Sequence, residues 1–99
     1  MKGRVYISGP MTGLPGLNFP AFFEAAEYLR AEGYGVVNPA ELGGSPDLEW
    51  HQYMRKDIAA LMDCDTIYCL DGWRESKGAR LEVHIARELG MAVLMADAP

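Results

Sequence analysis

Thr66-Ile67-Tyr68-Cys69-Leu70 is an apolar run of strand length, closed by Asp65 on one side and by Asp71-Gly72 on the other. Its hydrophobicity is continuous rather than alternating, the mark of a strand covered on both faces, as in a parallel sheet. Downstream, the polar turn Ser76-Lys77-Gly78-Ala79-Arg80-Leu81-Glu82 runs into helical periodicity that lasts from Gly78 to Gly90. Upstream, Leu48 to Met62 carries the same period. Working outward, Val5-Tyr6-Ile7-Ser8 is a strand rich in β-branched and aromatic residues that stops at Gly9-Pro10. A first helix follows, with Asn18 as its N-cap, Pro20 in its first turn and Phe19, Phe22, Phe23, Ala26 and Leu29 on its core face; Gly33 ends it. Tyr34-Gly35-Val36-Val37, stopped by Asn38-Pro39, and Met91-Ala92-Val93-Leu94-Met95 complete four strands. The order β-α-β-α-β-α-β predicts a three-layer α/β fold of flavodoxin or Rossmann type. Its sheet has four mainly parallel strands in the order 2-1-3-4, with helices on both faces.

Residues 1–99 amount to one domain with a single modest core. The formal charge of −5 argues against a nucleic-acid polymer as ligand, because phosphate backbones are held by basic surfaces. A small anion is not excluded, since helix N-termini and backbone amides bind it without net positive charge. No apolar run reaches the roughly 20 residues that span a bilayer, and the N-terminus lacks the apolar block of a signal peptide, so the expected location is cytoplasmic, with no membrane partner. Cys64 and Cys69 have neither disulfide-framework nor zinc spacing and read as reduced structural thiols.

Two carboxylates break the helical patterning. On a wheel at about 100° per residue, Ala79, Leu81, Val83, Ile85, Ala86 and Leu89 form one broad apolar arc of the last helix, and Glu82 falls near its middle. In the preceding helix, Trp50, Tyr53, Met54, Ile58, Ala60 and Leu61 form the apolar face and Asp57 sits at its centre. An unpaired buried charge costs several kcal/mol or more. One such acid is readily explained as a structural ion pair; two, on consecutive helices that dock on one sheet, point to a shared site.

The loops agree with that placement. The loop after the first strand, Met11-Thr12-Gly13-Leu14-Pro15-Gly16-Leu17-Asn18, leaves a strand's carboxyl end, where ligands gather in open α/β sheets. Its spacing matches neither the dinucleotide fingerprint nor the nucleotide-triphosphatase loop. The second loop, from Ala40 to Asp47, carries Gly43-Gly44-Ser45-Pro46 and places Asp47 to cap the next helix. A phospho-acceptor domain, prompted by Asp71, would need an acidic pair where the chain has Ser8-Gly9-Pro10. Metal hydrolysis through Asp57, Asp63 and Asp65 is disfavoured because Asp63 and Asp65 fit solvated positions, and His51 and His84 lie on polar faces; no metal and no cofactor are expected.

Tyr6-Ile7-Ser8-Gly9-Pro10, then Asp57, then Cys64-Asp65, then Ser76-x-Gly78-x-x-x-Glu82 together resemble the nucleoside 2-deoxyribosyltransferase superfamily, which includes the deoxynucleoside 5′-monophosphate N-glycosidases. The resemblance implies that Glu82 is the nucleophile at the anomeric carbon. It makes Asp57 the acid that orients the sugar or nucleophile and assists proton transfer to the departing base, and Tyr6 a hydroxyl partner of the catalytic carboxylate. It assigns Ser76 and Gly78 to a 5′-phosphate, with Gly9, Pro10 and Met11 of the first loop completing the cradle. The implied reaction is cleavage of the N-glycosidic bond of a (deoxy)nucleoside 5′-monophosphate through a glycosyl-enzyme, by hydrolysis or base transfer. The transferase branch adds an asparagine near the neighbouring subunit's C-terminus; Met95-Ala96-Asp97-Ala98-Pro99 has none, which favours hydrolysis. The family also implies a homo-oligomer, a dimer or higher, for which Trp50, Tyr53 and Met54 are suitable anchors. The alternative is a nucleotide-binding or regulatory module without turnover.

Overall fold

The computed structural model describes residues 2–42 and 47–96, so Gly43-Gly44-Ser45-Pro46 and the tail from Asp97 lie outside the described residues. The four strands are β1 (Arg4–Ser8), β2 (Gly35–Val37), β3 (Thr66–Cys69) and β4 (Ala92–Met95), and the three helices are α1 (Phe19–Ala31), α2 (Trp50–Leu61) and α3 (Lys77–Glu88). The sheet order is β2-β1-β3-β4, with all three pairings parallel. This is the predicted topology.

Alternation along β1 divides the core. Val5 and Ile7 face α1 and pack with Phe22, Ala25, Ala26, Leu29 and Leu70. Tyr6 turns to the other side, where it joins Ile67, Cys69, Leu61, Ala79, Val83 and Ala86 beneath α2 and α3. One helix therefore covers one face and two cover the other. With partners on both sides, β1 is the most buried strand: Val5, Tyr6 and Ile7 are fully enclosed and Ser8 is 1% exposed.

Several expectations need correction. Phe23 is exposed and meets Phe19 edge-on at 6.3 Å, because α1 presents only the row Phe22, Ala25, Ala26 and Leu29 to the sheet. Leu81 and Leu89 are also exposed: the buried stripe of α3 is Ala79, Glu82, Val83 and Ala86, and Leu81 and Leu89 flank it. Asn18 holds the N-cap position of α1 as expected, but its side chain makes no capping bond. It sits at φ 60°, at the end of a 3-10 turn over Pro15–Asn18, and its Nδ2 donates to the Pro10 carbonyl at 3.0 Å, tying together the two ends of the first loop. Asp47 does not cap α2; Glu49 holds that position, its N–H bonded to Gln52 Oε1 at 2.7 Å.

Two glycines bring the loops together above the sheet. Gly72 adopts φ 86°, a conformation costly for other residues, and lies against the ring of Pro10. Gly9 crosses the end of β3 so closely that a Cβ would stand 2.7 Å from Leu70 Cβ. That neighbour is anchored to backbone and cannot swing aside. Gly9→Ala is therefore expected to destabilise the fold by about 1–3 kcal/mol, read as a lowered urea midpoint; an unchanged midpoint would refute this account of the crossing.

Candidate active site

Tyr6 and Ser8 are two residues apart on β1 and so share a face, the one that looks toward α3. The Tyr6 hydroxyl donates to Glu82 Oε2 at 2.7 Å and Ser8 Oγ donates to Glu82 Oε1 at 2.7 Å. Glu82 is 5% exposed, so these two donors replace most of the water its carboxylate has lost. Ser8 is the one residue of this cradle that sequence reasoning did not single out. Its signal was the strand period: once Tyr6 is assigned to the α3 face, Ser8 must share it.

The cradle opens into a cavity of about 970 Å³. Every site residue predicted from sequence lines it: Tyr6, Gly9, Pro10 and Met11 from β1 and its loop, Asp57 from α2, and Ser76, Gly78 and Glu82 from α3 and its entry. Trp50, Tyr53 and Met54 add an apolar wall from α2, and Leu17 of the first loop and Phe19 at the start of α1 add another. Gly78 lets the helices meet, since a Cβ there would lie 3.1 Å from Met54 Sδ. A larger hollow of about 1470 Å³ lies over Tyr28, Tyr68 and Leu94 on the opposite face of the sheet, but neither acid lines it. Both acids line the smaller cavity.

Burial pushes the Glu82 pKa up to about 7; the hydrogen bonds from Ser8 and Tyr6 oppose the rise and the nearby Asp57 charge adds to it. Burial likewise lifts Asp57 to about 6, opposed by Lys56. For Tyr6, burial, the charges of Glu82 and Asp57 and the bond to Glu82 all raise the phenol far above its ordinary value, so it remains a donor. Two acids with overlapping titrations near neutrality, facing one cavity, can divide the roles of nucleophile and proton carrier.

The entry to α3 presents donors to the cavity. Ser76 caps the helix, its Oγ accepting from the Ala79 N–H at 3.2 Å, which leaves the hydroxyl proton free to donate outward. The Lys77 ammonium rests 4.0 Å from the centre of the Trp50 ring at the cavity wall. Among the described residues no group of three or more His, Cys, Asp or Glu side chains could hold a metal ion. Among them, too, no helix is long and apolar enough to cross a membrane.

The sequence model of a family described as "domain of unknown function (DUF4406)" matches residues 3–95. A comparison with curated proteins finds no match. Among solved structures, a 2-deoxyribosyltransferase from Leishmania mexicana superimposes with a TM-score of 0.73 over 95% of this chain at 17% identity. The chain spans 63% of that structure. At this identity the likeness establishes a shared fold.

An acid whose pKa is raised on folding contributes its stability in full below the unfolded value and loses it as pH rises through the folded value. For Glu82 that window runs from about 4.5 to about 7. Glu82→Gln, neutral throughout, should match the wild-type stability at pH 4.5 and exceed it at pH 8 by up to about 3 kcal/mol. Urea unfolding at the two pH values checks this, and a difference that does not depend on pH contradicts it.

Proposed function

The chain belongs to the DUF4406 family, and from that premise and the cavity described above we propose that it cleaves the N-glycosidic bond of a (deoxy)nucleoside 5′-monophosphate. One observation carries the reading. A buried carboxylate, held by two hydroxyl donors and accompanied by a second acid, opens into a recess large enough for a nucleotide.

Breaking a C1′–N bond builds positive charge at C1′, and a fixed carboxylate beneath the sugar stabilises that charge and can capture it. In the proposed first step a Glu82 oxygen bonds to C1′ as the C1′–N bond breaks. The electron pair of that bond leaves with the base, which takes a proton from Asp57. Asp57, now ionised, removes a proton from an entering water whose oxygen attacks C1′ and releases Glu82. Two displacements at one carbon retain its configuration. If a second base enters instead of water, the same intermediate yields a new nucleotide. Tyr6 and Ser8 stay bonded to the carboxylate through both steps, so it has little reorganisation to undergo.

The 5′-phosphate is assigned to the first turn of α3, where Ser76 Oγ–H, the backbone amides of Lys77 and Gly78 and the helix dipole all favour an anion. The amide edge at Gly9 with Pro10 and Met11 borders the same cavity, and the apolar walls from Trp50, Tyr53 and Phe19 suit a flat base. The fold shared with a deoxyribosyltransferase is consistent with a nucleoside-type ligand.

A panel of nucleoside and deoxynucleoside 5′-monophosphates, followed by chromatography for free base, tests the proposal. Base release is expected from at least one nucleotide, with Glu82→Ala lowering it by about 10³-fold or more while ligand binding persists. Binding without release from any nucleotide would identify a silent binding module instead. The pH dependence follows from the two acids. Glu82 works ionised, which favours pH above about 7, and Asp57 works protonated, which favours pH below about 6. The profile of kcat/KM should therefore be a bell with its maximum between those values, and Asp57→Asn should remove its alkaline limb.

A further inference from the structure

Ser8 has no part in bond making or breaking as set out above, yet its position is tightly determined. It lies at the carboxyl end of the central strand, opposite Cys69 of β3, and its carbonyl accepts from the Leu70 N–H at 2.8 Å. The backbone therefore cannot drift, and Oγ is delivered to one place, 2.7 Å from Glu82 Oε1. Tyr6 alone, bonded to Oε2, would fix one oxygen and leave the carboxylate free to pivot about that contact. Two donors on two different oxygens fix both its position and its rotation. Its neighbours Ile7 and Gly9 and its hydrogen-bond acceptor Glu82 all line the cavity, so Ser8 supports the carboxylate from directly behind the open site.

Building on the glycosidase reading, we propose that Ser8 is a positioning residue that favours the ionised form of the Glu82 carboxylate and holds it oriented toward the anomeric carbon. The groups that face Glu82 make the role necessary. Tyr6 from β1 donates to it, but Asp57 from α2 carries a like charge, and Glu75 and Lys77 border the same cavity. Burial works against the ionised form, and of the influences that oppose burial the Ser8 bond is the largest, ahead of Tyr6. A serine hydroxyl does not titrate, so this support is constant across the working pH range.

The test reads the carboxyl group directly. Carbon-detected NMR titration of the ligand-free protein, with Glu82→Gln to assign the signal, follows Glu82 in the wild type, Ser8→Ala, Ser8→Thr and Ser8→Cys. Loss of a hydrogen bond to a charged group should raise the Glu82 pKa by about one to two units in Ser8→Ala. Ser8→Thr, which keeps the hydroxyl, should return it toward the wild-type value, and Ser8→Cys, a similar volume with a weak donor, should lie between. If Ser8→Ala does not fold, the Thr and Cys variants carry the same comparison. In turnover, the acidic limb of kcat/KM should move by the same amount, with kcat at pH 6 falling about tenfold for each unit while KM holds. A titration and an acidic limb unmoved in Ser8→Ala, or Ser8→Thr behaving like Ser8→Ala, would overturn the inference. If the wild type cleaves no nucleotide, the glycosidase reading alone falls, because the titration still reports what Ser8 does to Glu82. If cleavage occurs and the titration does not move, this inference alone falls.

Discussion

A carboxylate removed from water persists only where donors replace the water it has lost, and at Glu82 those donors are Tyr6 and Ser8. Each hydrogen bond is 2.7 Å long, short as charge-assisted O–H···O bonds are. Together they hold an acid inside a core otherwise made of Ile67, Cys69, Leu61, Val83 and Ala86. The cost of the arrangement shows in its titration, lifted to about 7 by burial even with both bonds in place. A core built only for stability has no need of it. The strain makes chemical sense if the carboxylate has to meet a developing positive charge.

The fold can be understood as the means of bringing that contact about. Both donors come from β1, which is fixed by parallel pairing to β2 on one side and β3 on the other. The acceptor comes from α3, which packs close to the sheet because the residues around Glu82 on its inner face, Ala79, Val83 and Ala86, are small. Asp57 arrives from α2 beside it, and Gly78 permits α2 and α3 to touch where the cavity begins. Above them, Gly9 and Gly72 let the loops after β1 and β3 press together, leaving the opening on the α2 and α3 side of the sheet. Displacing any of these elements by about an ångström would break the cradle, since hydrogen-bond geometry is that demanding.

What could be read before the structure, and what could not, follows from the range of each interaction. Thr66 to Leu70 announced a doubly covered strand because burial on both faces leaves no alternation, and that single feature set the parallel topology. Glu82 and Asp57 were legible because each contradicts its own helix face, a local conflict that needs no partner to be seen. Ser8 was not, because a serine before Gly-Pro looks like the start of a turn until the register of β1 against α3 is known. Phe23 and Leu89 failed differently: a helical wheel gives the direction of an apolar arc but not its width, which depends on how much sheet lies beneath. The cap of α2 failed for another reason, since Asp47 and Glu49 both precede the helix and only the backbone path chooses between them. Asn18, at φ 60°, spends its side chain on Pro10 rather than on the helix.

The account stands on Glu82 becoming covalently bonded to the sugar. A 2′-fluoroarabino nucleoside 5′-monophosphate carrying a readily departing base tests it directly, because fluorine beside the anomeric carbon slows both displacements by opposing the developing positive charge, and the good leaving group keeps formation of the glycosyl-enzyme faster than its release. Tryptic digestion and mass spectrometry should then find the fluorosugar phosphate on the peptide of residues 81–87, which contains Glu82 as its only carboxylate side chain. Adduct on that peptide, absent from Glu82→Gln, is the predicted result. Adduct on another peptide, or none from any base although the nucleotide binds, would contradict it.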